Sequence, residues 1–392
     1  MSVLPPSPPE QDAPTAQIRG PRNVAELDPP VRLLLGPGPS PVHPRVTRAL
    51  GAPALGHLDP ALIELLGETS SLLRGVFRTA NKSTLAVSGT GMSGMEAVLG
   101  SLLEPGERIV VCSAGFFGNR IAELAARIGA TVVKTEKEWG EVFTHEEVQK
   151  AAAAAKPKAI AVVHAETSTG ALQPMHGLGA IAESHGALLI ADCVTSLGGV
   201  AVEIDGWGVD AAYSGSQKCL GGPAGMSPVT LSPRAVDAIK KRKRPPHAWY
   251  LDLDLLDRYW NGDHSYHHTI SSPLVYALRE GLRLVVEEGL EARFDRHLRN
   301  AETLWDGLEA MGLKLHVGAA HRVPSLTTVH VPEGVDEAHV RTRLREDYGI
   351  EIGAGLGPLK GKVWRIGLMG HGSQRANVIL LLAAFVDLLR KP

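Results

Sequence analysis

The chain has 392 residues, 44% hydrophobic and 21% charged, enough for a large core and for two domains. Its formal net charge of −2 argues against a nucleic-acid or anionic-membrane partner. Three cysteines, Cys112, Cys193 and Cys219, lack the spacing of a metal site or disulfide framework, and no run reaches the roughly 18 apolar residues of a membrane span.

Residues 1–30 hold eight prolines and no apolar leader core, so a disordered arm is expected there. Glu10 and Asp12 oppose a transit peptide, and Arg390-Lys391-Pro392 is not a peroxisomal tripeptide, so the expected compartment is the cytoplasm. From Thr84 the pattern alternates. A strand over 84–88 precedes a helix over 92–103, which Pro105-Gly106 stops. A strand over 108–112 and a helix over 119–128 follow. Further strands are predicted at 131–134, 158–164, 187–191, 209–213 and 228–231, with helices at 144–155, 176–185 and 233–241. Strands separated by helices of this length imply an α/β fold, with a large mostly parallel sheet covered on both faces. Such sheets bind ligands beyond the carboxyl ends of their strands.

After Pro273 the pattern changes. Helices are predicted over 274–288, 290–311, 336–347 and 374–389, with strands near 325–331 and 363–367. This predicts a large domain over 31–280 and a smaller C-terminal α+β domain over 281–392.

Two strand ends carry the chemistry. The apolar run Leu188-Leu189-Ile190-Ala191 ends in Asp192, and Asp210-Ala211-Ala212-Tyr213 leads into Ser214-Gly215-Ser216-Gln217-Lys218. Pyridoxal phosphate needs such a pair: a lysine amine to condense with its aldehyde, and a carboxylate to keep its ring nitrogen protonated. A lysine among small and apolar neighbours can also have its amine pKa lowered towards nucleophilic competence. Gly89-Thr90-Gly91-Met92-Ser93-Gly94 spells a dinucleotide fingerprint, but the next strand ends Val111-Cys112-Ser113 without the ribose-binding carboxylate. What survives is a helix N-terminus whose backbone N–H groups can hold a phosphate. His264, His267 and His268 lack a carboxylate or cysteine to complete a metal site, so none is expected. The basic run Lys240 to Arg244 is expected to be a solvated helix end.

Asp192-Cys193-Val194-Thr195-Ser196-Leu197-Gly198-Gly199, followed by the Lys218 segment, resembles the class V, fold-type I pyridoxal-phosphate aminotransferases, above all the alanine–glyoxylate and serine–glyoxylate (serine–pyruvate) enzymes. Leu34 to Ser40, His164 to Gly170, Tyr266 to Thr269 and Gly361 to Gly367 resemble further family segments in the same order. The resemblance implies pyridoxal 5'-phosphate as cofactor, with Lys218 as its covalent anchor and proton shuttle and Asp192 on the ring nitrogen. Thr90, Gly91, Met92 and Gln217 would hold the phosphate. Thr167 would touch the ring hydroxyl side, and Val194 would line the cofactor pocket. Phe117 stands where some relatives stack a tryptophan, and Met92 where some carry histidine. Arg365 would bind the substrate carboxylate in a pocket lined by Gly38. Tyr266 and Thr269 would reach the phosphate of a second subunit, which implies a homodimer with shared active sites.

The activity this resemblance implies is transfer of an amino group from alanine or serine to glyoxylate, a 2-oxo acid. Ureidoglycine–glyoxylate aminotransferase and cysteine desulfurase are the alternatives within the fold. Desulfurases usually carry histidine before the lysine and a later mobile cysteine, whereas Gln217 precedes Lys218 and no cysteine follows Cys219. A ligand-sensing regulator built on this fold needs a DNA-binding domain that thirty proline-rich residues cannot hold.

Overall fold

In the computed structural model, residues 25–389 are described, so most of the expected arm and the last three residues lie outside the described residues. Seven strands form the main sheet, in the order Ser83–Ser88, Met226–Leu231, Ala211–Tyr213, Leu188–Asp192, Ala159–Val163, Arg108–Ser113 and Thr131–Glu136. From Ala211–Tyr213 to Thr131–Glu136 the pairing is parallel, and Met226–Leu231 runs antiparallel to both its neighbours. The central strands Ala159–Val163 and Leu188–Asp192 are buried throughout, as helices on both faces require. The edge strand Thr131–Glu136 instead exposes Thr131, Lys134 and Glu136, and its Lys134 and Glu136 pair at 2.8 Å, a charged edge that discourages further strand pairing.

Met226–Leu231 begins two residues before the expected 228, because Pro228 does not interrupt it. Proline has no N–H to give the ladder. Its carbonyl still accepts from Ser214 N–H at 2.8 Å, and the Ser227 hydroxyl donates to the Ser214 carbonyl at 2.6 Å, taking the place of the missing N–H.

Among the described residues, three helices of seven or more residues were not expected: Pro44–Leu50, Pro60–Phe77 and Leu253–Asn261. Asp59 caps the second, accepting from Ala61 N–H at 2.8 Å, with Pro60 in its first turn. Leu62, Leu66, Leu73 and Phe77 bury its apolar stripe. Asp252 caps the third in the same way. The basic run is a solvated helix end as expected, with Lys240, Lys241, Lys243 and Arg244 exposed, and Arg242 alone departs from it. Arg242 folds back from its helix end and donates to the carbonyls of Ser101 and Leu103 at 3.1 and 2.8 Å, satisfying the end of the helix Gly91–Leu102.

A second apolar cluster includes Leu304, Leu308, Val329, Leu344, Trp364, Ile366, Leu381 and Phe385. It packs on a three-stranded antiparallel sheet with Val363–Gly367 between Leu326–His330 and Gly353–Ala354. On Val363–Gly367, Trp364 and Ile366 enter this cluster, so strand alternation turns Arg365 to the opposite face. The strand Leu33–Leu34 pairs in parallel with Ile350–Glu351. Gly367 N–H then donates to the Leu35 carbonyl at 2.8 Å, which lays the segment after Leu35 across the Arg365 strand. Among the described residues, no helix is long and apolar enough to cross a membrane.

Candidate active site

Asp192 ends a strand of the parallel set, Phe117, Thr167 and Lys218 follow others, and Thr90 follows Ser83–Ser88, all at the carboxyl edge where α/β sheets bind ligands. Asp192 is buried. Its Oδ1 accepts from Val194 N–H at 2.9 Å, and its Oδ2 accepts from the Tyr213 hydroxyl at 3.0 Å. Burial pushes its carboxyl up to about 7, against the pull of those two donors. Among the described residues it has no ion-pair partner, so a buried carboxylate stands ready for a cationic donor.

Lys218 is also buried, and its Nζ donates to the Pro37 carbonyl. Burial, with repulsion from Arg365, lowers its amine from the usual 10.5 to about 8. Roughly a tenth of such an amine is neutral at pH 7. The rate at which the apoprotein captures an aldehyde cofactor should therefore rise with pH around a midpoint near 8, which stopped-flow absorbance would measure. A midpoint above 10 would mean that burial does not act on this amine. Ser40 ties the lysine loop to the 37–40 segment, its N–H donating to the Gln217 carbonyl at 2.9 Å and its hydroxyl to the Lys218 carbonyl at 2.8 Å. Gly38 has φ +108°, and a Cβ there would lie 2.7 Å from Lys218 Nζ, so only glycine fits beside the amine.

Arg365 is buried among carbonyls, with Nε donating to Ala354 at 2.6 Å and Nη1 to Thr167 at 3.0 Å. Burial lowers its pKa to about 10, which leaves it charged at neutral pH. It makes no ion pair among the described residues, so this cation lacks the anion that its desolvation calls for.

At the other end of the site, the helix Gly91–Leu102 starts without a side-chain cap, since Thr90 makes no capping bond. A Cβ on Gly91 would meet Val194 Cγ2 at 3.0 Å, so the helix start closes against the Asp192 loop. Gln217 presents a buried side-chain oxygen with no partner. The uncapped helix start is a fitting cradle for a phosphate, to which Gln217 could donate only through its Nε2 and not through the orphaned oxygen. Phe117 opens the helix Phe116–Arg127, and the Thr167 and Thr195 hydroxyls are in close contact. Tyr266 and Thr269 are different. Both are exposed, Tyr266 at 57%, and Tyr266 packs against the His57 ring at 4.8 Å, with no hydrogen bond to the Lys218 group.

Three participants escaped the sequence reading. Tyr213, by sequence only a strand residue, donates to Asp192. The Pro37 carbonyl receives the lysine amine. Glu166 bridges the Phe117 and Thr167 segments, and its only signal was its place within the His164 to Gly170 motif.

Residues 46–368 match the family model for aminotransferase class V. The chain belongs to the class-V aminotransferases. It is 41% identical over 382 residues to the (S)-ureidoglycine–glyoxylate transaminase of Bacillus subtilis (strain 168), covering 93% of this chain and 92% of that one. With the alanine–glyoxylate aminotransferase of Drosophila melanogaster it shares 40% identity over 359 residues, covering 90% and 91%. The crystal structure of an alanine–glyoxylate aminotransferase from Nostoc sp. superposes with a TM-score of 0.93 at 49% identity, covering 94% of this chain and 98% of that one. The fold is that of the fold-type I enzymes, and the protein is a pyridoxal-phosphate-dependent aminotransferase. The unpaired Asp192 carboxylate, the Lys218 amine with its lowered pKa and the uncapped helix start fit that cofactor at its ring nitrogen, aldehyde and phosphate.

Proposed function

We propose that the protein transfers an amino group from alanine or serine to glyoxylate, giving glycine and pyruvate or hydroxypyruvate. The observation that carries this reading is Arg365, a buried guanidinium with no carboxylate partner near Lys218. One such cation suits substrates with one carboxylate, which alanine, serine and glyoxylate share. Ureidoglycine is a second donor reading, favoured by the likeness to the Bacillus subtilis transaminase. Cysteine desulfuration is disfavoured, because Cys112, Cys193 and Cys219 are all buried and burial raises each thiol above its usual range. The test is a matrix of purified protein with alanine, serine, ureidoglycine and glutamate against glyoxylate and pyruvate. Glycine formed from glyoxylate with alanine or serine is expected, and a requirement for glutamate would overturn the reading.

Bound in this site, pyridoxal phosphate supplies an electron sink that eases loss of the substrate α-proton. Lys218 would anchor it covalently, and its Nζ would move the proton from the substrate α-carbon. Asp192, oriented by Tyr213 and Val194, would keep the ring nitrogen protonated. The N–H groups of Gly91 and Met92, with Thr90 and Gln217, would hold the phosphate. Phe117, Val194 and Thr167 would hold the ring. Gly38 leaves the space in which substrate and Lys218 meet.

Arg365→Lys should damage substrate use and spare the cofactor. Arginine can grip a carboxylate with two parallel N–H bonds, while lysine offers one point charge. Losing one charge-assisted bond costs about 1.5–3 kcal/mol, or about one to two decades in kcat/KM. Steady-state kinetics on donor and acceptor separately would check it. Both should fall while the resting absorption spectrum stays normal. Values within about twofold of the unsubstituted enzyme would remove Arg365 from the substrate site.

The working unit in this reading is a cytoplasmic homodimer, with a large domain over 31–280 and a small one over 281–392. Tyr266 and Thr269, exposed on one chain, complete the phosphate site of the other. Mixing Lys218→Ala subunits with Tyr266→Phe/Thr269→Val subunits should restore part of the activity that each lacks alone. Hybrid dimers that form and stay inactive would contradict shared sites.

A further inference from the structure

Glu166 lies at the end of a short strand, Ala165–Glu166, and is buried beneath the site. A carboxylate only accepts hydrogen bonds, and its two oxygens can serve two groups of donors. Here the oxygens are divided between two loops. Oε2 accepts from Phe117 N–H at 3.1 Å and Gly118 N–H at 3.4 Å. Oε1 accepts from Ser168 N–H at 3.0 Å and from the Ser168 hydroxyl at 2.6 Å. Ser168 Oγ in turn accepts from Phe116 N–H at 2.9 Å, closing the bridge.

The local sequence is arranged around this side chain. The helix Phe116–Arg127 begins at Gly115, which has no side chain to cap it, so Glu166 supplies the cap from about fifty residues away in sequence. A Cβ on Gly115 would lie 2.3 Å from Glu166 Cγ and 2.4 Å from Cδ, so glycine makes the room that the carboxylate occupies. Beyond Ser168 the bridge reaches the substrate end. Thr167, between the two bridged residues, accepts from Arg365 Nη1 through its carbonyl at 3.0 Å.

We propose that Glu166 is a positioning residue, which fixes through one buried carboxylate the Phe117 ring on one side and the Thr167 carbonyl that aims Arg365 on the other. It touches neither substrate nor cofactor and acts through both of those residues. The proposal rests on the roles given above to Phe117, Thr167 and Arg365. It adds that a single side chain sets cofactor cover and carboxylate recognition together.

Glu166→Gln keeps the shape but turns an –NH2 group towards N–H donors on one side. Ser168→Ala removes one donor, leaves the carboxylate in place and breaks the link to Phe116. Three quantities would be read on the holoenzymes: KM for alanine and glyoxylate, the visible circular dichroism of the bound cofactor, and Tm. For Glu166→Gln the expected result is a rise in KM for both substrates on the order of tenfold, with a weakened dichroic band at full cofactor loading. Ser168→Ala should move both readouts in the same direction by less. A fall in Tm with KM and dichroism unchanged in both variants would make Glu166 merely structural and overturn the proposal. If Glu166→Gln does not fold, Ser168→Ala decides: unchanged KM and dichroism in that variant overturn it. Arg365→Lys measured alongside separates the two layers. Should Arg365→Lys raise KM while neither variant does, positioning by Glu166 fails and the substrate reading stands. Should Arg365→Lys leave KM unchanged, the substrate reading fails and the proposal falls with it.

Discussion

Replacing Lys218 by alanine should abolish turnover and remove the visible absorption of the bound cofactor. Two losses combine. Among the described residues the amine is the only one held beside Gly38 and the Pro37 carbonyl, so none of them can take over the covalent anchor. The same amine moves the substrate α-proton, and a positioned acid–base group is worth about 10²–10⁴ in rate. Its lowered pKa, about 8, suits that task near neutral pH. The fold should persist, because truncating a buried amine removes a desolvated charge and leaves the Ser40 bond to the Lys218 backbone carbonyl in place. Turnover by Lys218→Ala within tenfold of the unsubstituted enzyme, in a protein of unchanged circular dichroism in the far ultraviolet, would contradict the assignment.

Asp192→Asn should give the second largest loss. The substitution is nearly isosteric, so Val194 N–H can still donate to the remaining oxygen. An amide has no negative charge to offer a protonated ring nitrogen. Removing one partner of a buried ion pair costs about 3–5 kcal/mol, which is about two to four decades in rate if it all falls on the transition state. Burial already holds the unliganded Asp192 carboxyl near 7. A cation beside it pulls that value down, because the charged form then gains a partner. Single-turnover rates with alanine, measured against the unsubstituted enzyme, would check the effect. Equal rates would show that Asp192 serves only the turn at Val194.

Some of this architecture was legible from residues and some was not, for reasons that particular elements make plain. The strands ending at Ser88, Asp192 and Tyr213 were visible because apolar runs bounded by glycine leave little choice of conformation. Lys218 and Asp192 stood out because a charged residue at such a strand end is out of keeping with its surroundings. The helix Pro60–Phe77 carried its own signals, Asp59-Pro60 at the start and leucines at helical spacing, but lay upstream of the segment where strand and helix alternate. Pro228 hid the start of its strand, since the Ser227 hydroxyl that replaces the missing N–H is a tertiary contact. Tyr213 and Glu166 escaped for a related reason. Their roles lie in hydrogen bonds to loops distant in sequence, and no local pattern encodes those. Arg365 was recognisable by motif, but its lack of an ion-pair partner is a property of the folded site alone.

The attachment point of the cofactor tests the central claim most directly. Purified protein loaded with pyridoxal phosphate would be reduced with borohydride, digested, and its peptides sequenced by mass spectrometry. The reduced cofactor should be found on Lys218 and on no other lysine, and the adduct should be absent from Lys218→Ala. An adduct on a different lysine, or an unmodified Lys218 in protein that had bound the cofactor, would contradict the account of this site.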